Sequence, residues 1–141
     1  MNNLFLKKPL LDNLKVDECN MSDLISELFS ATISFHKLHL KITNLGSYAA
    51  HNALSGLYSA LPEIIDSLVE QYQGVTENLI EIKEKSPKVL ISVEDSLSYI
   101  REIYSMINTI QRKCDFSEIV NELDGLKSLL NSTKYKLKFL T

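Results

Sequence analysis

Tryptophan is absent from this chain of 141 residues, and cysteine (2), proline (3), histidine (3) and glycine (4) are scarce. So few glycines and prolines exclude collagen-like and low-complexity classes. Cys19 and Cys114 stand far apart with no Cys-x-x-Cys partner, which excludes a disulfide framework and a zinc-finger spacing; both are expected to be reduced and structural. No apolar run approaches the roughly 18 residues needed to cross a bilayer, so no membrane association is expected. The opening MNNLFLKKPLLDNL lacks the apolar core and cleavage site of an export signal, and a cytoplasmic protein is expected. Neither sign of charge dominates. The net charge of −3 argues against whole-surface attraction to nucleic acid. One local exception is the C-terminal KYKLKFLT, whose Lys134, Lys136 and Lys138 read as complements to a helix dipole. There is no nucleophile motif, phosphate-binding glycine loop or alternating strand pattern.

What the chain does have is helical periodicity. Residues 1–20 contain Pro9 and no sustained period, and read as an N-terminal arm; residues 21–141 read as one domain. Ser22 is a plausible N-cap, followed by Leu24, Leu28, Ala31, Phe35, Leu38 and Ile42 at steps of three and four, predicting a first helix over about 22–43. Asn44, Gly46 and Ser47 supply a turn. A second helix starts near Tyr48, with Ala50, Leu54, Leu57, Leu61, Ile64, Leu68 and Tyr72 as its core stripe, continuing to Val75, Leu79 and Ile82. Pro62 should kink it, and Ser86 and Pro87 close the segment. Ser92 and Asp95 have capping-box spacing ahead of a third helix carrying Val93, Leu97, Ile100, Tyr104, Ile107 and Cys114. Asp115 and Glu118 suggest the same device ahead of a fourth, with Phe116, Ile119, Leu123, Leu126, Leu130, Thr133, Leu137 and Leu140. Four amphipathic helices predict an all-α antiparallel four-helix bundle, with the longest connection between helices 2 and 3.

The stretch from His39 to Glu70 concentrates residues that bind transition metals: His39, His51, Asp66 and Glu70. Asp66 and Glu70 are four apart and share a helix face. His51 lies 15 residues before Asp66, on nearly the same side but about 22 Å away along the axis. Metal bonds to such groups are roughly 2.0–2.2 Å, so His51 and Asp66 of one chain cannot share an ion. A two-fold axis removes the difficulty. If helix 2 packs antiparallel on helix 2 of a second copy, His51 faces the partner copy's carboxylates, and small residues near the crossing (Gly56, Ser59, Ala60) permit close approach. His39 then joins His51 across the turn. Two imidazoles and two carboxylates suit iron, manganese or zinc, and the Irving–Williams order does not choose among them by affinity alone. His36 reads as a partly buried helix residue or a supporting group. Tyr48, Tyr58 and Tyr72 read as core or interface packing, and Glu63 as a solvated surface residue.

The spacing of these four residues, and the segment HNALSGLYSALPEIIDSLVE with Tyr58, resemble the Dps miniferritins of the ferritin-like superfamily over about 30 residues. The resemblance implies a ferritin-like bundle in which His39 and His51 of one subunit and Asp66 and Glu70 of another form an inter-subunit ferroxidase centre. It also implies oxidation of Fe(II), typically with peroxide, and storage of the product in a twelve-subunit shell. The chain departs from the family at Ser55, where an acid helping a second iron is usual, and at Leu40, where tryptophan is common. Gly46 is displaced by two positions, and the helix 2–helix 3 connection leaves little room for the family's extra helix. There is no long lysine-rich tail, so the family's DNA binding is not carried over. A shortened, divergent relative of viral origin fits these departures. The function expected is iron binding and ferroxidation in a homo-oligomer, a dimer or the dodecamer, with iron storage or detoxification. The alternative is a non-catalytic helical dimer with a degenerate site, acting as a structural or interaction protein.

Overall fold

Apolar residues recurring every three or four positions become four helices, because each can bury one stripe only against the others. The computed structural model describes residues 21–140: α1 (Met21–His39), α2 (Ser47–Thr76), α3 (Val93–Lys113) and α4 (Ser117–Phe139). The expected arm 1–20, with Cys19, lies outside them. The architecture is all-α, and no described helix is long and apolar enough to cross a membrane.

The principal packing pairs are α1 with α2, α2 with α4, α4 with α3, and α3 with α1. The helices therefore form a ring in which α2 and α3 are diagonal. One core runs through the ring and includes Leu24, Leu28, Phe35, Leu54, Ile103 and Leu126. Ile65, one residue on from the expected Ile64, is the fully buried member of that α2 turn; Ile64 only packs against the rim.

α1 ends at His39, four residues before its expected limit. Lys41 and Ile42 both donate to the Leu38 carbonyl, Ile42 folds onto the core, and Asn44 and Gly46 take left-handed conformations with φ of 83° and 78°. That reversal cannot be made by continuing a right-handed helix. Ser22 lies inside α1 and caps nothing; its hydroxyl donates to the Glu81 carbonyl.

α2 runs without interruption through Pro62, which sits on an exposed face. It stops at Thr76, short of the expected Leu79 and Ile82, which are exposed. Side chains stitch this end. The Thr76 hydroxyl donates to the Tyr72 carbonyl, the Asn78 amide to the Thr76 carbonyl, and the Ile80 N–H to Gln73 Oε1.

Residues 77–92 then form an extended strap without helix. Its bonds to α1 advance in register: Ser22 with Glu81, Ser26 with Lys83, Ser30 with Ser86. The strap thus runs parallel to α1 and carries the chain back along the bundle. Sixteen extended residues reach about 50 Å, whereas α1 is about 28 Å long, so the crossing is within reach. Ser92 and Asp95 form the expected capping box at the start of α3. The second expected box is absent: α4 begins after Phe116 with no side-chain cap, and Glu118 instead accepts from Ser117. Cys114 is free and buried.

Candidate metal centre

The end of α1 and the first turns of α2 are held together by their seven-residue connection, and this brings His39 against His51. Their Nε2 atoms lie 3.0 Å apart and their rings stack with centroids 3.8 Å apart. His39 is 8% exposed; His51 is half-buried. Around them, His36 stacks on Tyr58 at 4.0 Å, and Tyr58 meets the His39 ring edge-on at 5.0 Å. His36 itself is exposed rather than partly buried, and Tyr48 is exposed rather than packed. Tyr72 is a core residue.

The proton positions follow from the network. His51 Nδ1 lies 3.0 Å from the His39 carbonyl, which can only accept, so Nδ1 carries the hydrogen and Nε2 carries a lone pair. His39 Nε2 then donates to that lone pair, and His39 Nδ1 is left buried without a hydrogen-bond partner. Burial, then the neighbouring His51 and His36 imidazoles, hold His39 below the ordinary histidine range, against a weaker opposing pull from the His36 backbone. The His39 ring is therefore held toward its neutral form, the form in which imidazole binds a metal.

The pair fits a metal on two counts. A separation of 3.0 Å suits two nitrogens on adjacent corners of one octahedral ion, given metal–nitrogen bonds of about 2.1 Å, once the His39 hydrogen moves from Nε2 to the unpartnered Nδ1. An Nδ1–H anchored on a backbone carbonyl is the usual means of fixing a histidine ligand's tautomer. Asp66 and Glu70 do not join the histidines. They are exposed, about four turns farther along α2. Within one chain no group of three histidine, cysteine or carboxylate side chains among the described residues could hold a metal ion. Within one chain the two histidines, at the α1–α2 connection, and the two carboxylates, on α2, therefore stand at separate places.

The model of the DUF5856 family, described as a family of unknown function, matches residues 39–137. The chain belongs to the DUF5856 family. The span of the DUF5856 match opens on His39 and includes His51, Asp66 and Glu70. An uncharacterized 14.6 kDa protein from the mobD-ri intergenic region of Enterobacteria phage T4 is similar to this DUF5856 chain, 27% identical over 110 residues, covering 78% of this chain and 81% of the phage protein. A viral relative is thus found, as expected. No solved structure matches.

A buried polar cluster not anticipated from the sequence lies about three turns before His39 along α1. Glu27 is 7% exposed and accepts from the Tyr99 hydroxyl at 2.5 Å and from the Lys85 ammonium of the strap. Burial pushes the Glu27 carboxyl upward, but Lys85 and Tyr99 outweigh it and the net shift is downward. Burial and then Glu27 push the Tyr99 phenol well above its usual value. The signal was present: Glu27 falls between Leu24 and Leu28 on the apolar stripe, and Ser22, Ser26, Ser30 and Ser34 recur every four residues beside it.

Proposed function

We propose that this DUF5856 protein is a ferritin-like, Dps-like homo-oligomer that binds Fe(II) as substrate between subunits and oxidises it to Fe(III). The observation that carries this reading is the convergence of His39 and His51 Nε2 atoms with the His51 tautomer fixed by the His39 carbonyl. The diagonal α2–α3 crossover agrees with a ferritin-like connectivity. In this reading His39 and His51 of one subunit orient the ion, and Asp66 and Glu70 of a partner copy offset its charge. Two carboxylates favour Fe(III) over Fe(II), because added negative charge stabilises the higher oxidation state. The electron passes to peroxide or oxygen. Storage or detoxification of the oxidised iron follows if the dimers close into a twelve-subunit shell.

A second reading is a helical dimer acting as a structural or interaction protein. It is favoured by Ser55, which stands where the miniferritins carry an acid, and by a strap with no helix of its own. Adding Fe(II) to metal-free protein, with oxygen and then with peroxide, separates the two. Optical Fe(III) formation well above that of an Asp66→Ala/Glu70→Ala variant supports the ferroxidase; equal rates in both proteins select the interaction reading.

A further inference from the structure

The C-terminal half of α4 and Arg101 from near the middle of α3 line a groove of about 340 Å³ whose walls are Arg101, Asn131, Lys134, Tyr135, Lys138 and Phe139. The α4 members stand at steps of three, four, seven and eight from Asn131, so they form one continuous helix face. No carboxylate lines it. The strap lysines Lys83, Lys85 and Lys88 are each paired with a carboxylate. Arg101, Lys134 and Lys138, by contrast, have no carboxylate partner among the described residues. Their contacts are to rings: Lys134 lies over Tyr104 and Lys138 over Phe139.

The helix dipole accounts for Lys136 and Lys138 in the last turn, but not for Arg101, which comes from another helix. Nor does it account for two aromatic rings left in water. Tyr135 is 55% and Phe139 65% exposed, with centroids 5.8 Å apart. Exposed rings one turn apart, flanked by cations with no carboxylate partner among the described residues, offer stacking faces together with charge for a phosphate backbone.

We infer that this groove binds single-stranded nucleic acid without sequence preference, its bases against Tyr135 and Phe139 and its phosphates against Arg101, Lys134 and Lys138. The chain's net charge of −3 argues against a whole-surface attraction, so the interaction is assigned to this groove. A duplex is disfavoured because its bases are already stacked and its ring faces are closed to Tyr135 and Phe139.

The test is fluorescence anisotropy of a labelled twelve-residue oligo-dT with the full-length protein at about 50 mM salt. Saturable binding is expected, at least about tenfold tighter than to a hairpin duplex of equal length. Tyr135→Ala and Phe139→Ala should each weaken it by about tenfold. Arg101→Ala and Lys134→Ala should each reduce the slope of log affinity against log salt by about 0.7. Arg101, Tyr135 and Phe139 are exposed and Lys134 is half-buried with no part in the core, so circular dichroism should show an unchanged fold. Absence of saturable binding, duplex binding as tight as single-strand binding, or full affinity in the Arg101→Ala and Tyr135→Ala variants would overturn the inference.

Discussion

His51 is constrained at both ring nitrogens, one on the His39 carbonyl and the other on the His39 ring. If His51 is a metal ligand, as proposed, a single substitution separates ligand from scaffold. His51→Ala should abolish Co(II) binding, used as a spectroscopic stand-in for Fe(II), while leaving the helical circular dichroism intact. His39 is buried and held neutral. Its folded-state affinity for a proton is below the unfolded value of 6.5, so the unfolded state binds the proton more readily as pH falls. The stability it contributes is complete above that value and declines as pH drops below it. The urea midpoint should fall between pH 7 and 5, and by less in His39→Gln. Glu27 obeys the same sign at lower pH: its carboxyl is depressed, so its contribution is present above 4.5 and is lost below that. Tyr99→Phe removes a hydrogen bond to this charged group and should cost about 2 kcal/mol, read from the denaturation midpoint.

At the scale of elements, the helix stripes were legible because a helix in a bundle must bury one face. Ile119, Leu123, Leu126, Leu130, Thr133 and Leu137 are all buried where the three-and-four steps put them, whereas Phe116 and Leu140, at the two ends of that stripe, are partly buried and exposed. The capping box at Ser92 was legible because its two bonds are local. Ser92→Ala should cost about 1 kcal/mol. The illegible parts depend on non-local contacts. Leu79 and Ile82 continue the α2 period, yet they leave it because Thr76, Asn78 and Gln73 side chains close the helix and α1 then takes the strap as a bonded edge. The four-residue serine repeat on α1 marks that edge, since hydroxyls at such steps can serve a backbone running alongside. Asp115 and Glu118 looked like a cap, but Phe116, packed at the core, fixes the α4 start one residue later.

For the whole molecule, the meeting of His39 with His51 was legible because a turn of seven residues ties their helices together. The meeting of these histidines with Asp66 and Glu70 is not a property of one chain: about four helical turns separate them on α2. Mass in solution bears on this directly. The ferroxidase reading predicts a dimer or a shell of about twelve chains, measured by light scattering, and a monomer at all concentrations would leave both half-sites uncompleted.

The most direct measurement is complementation between two inactive proteins. His39→Ala/His51→Ala and Asp66→Ala/Glu70→Ala variants are each expected to lack Fe(II) oxidation, and co-refolding them in equal amounts forms mixed dimers. In a two-fold dimer each mixed pair keeps one intact site, so the mixture should regain about a quarter of the unsubstituted activity. No recovery in a mixture shown to contain mixed dimers would contradict a centre shared between subunits.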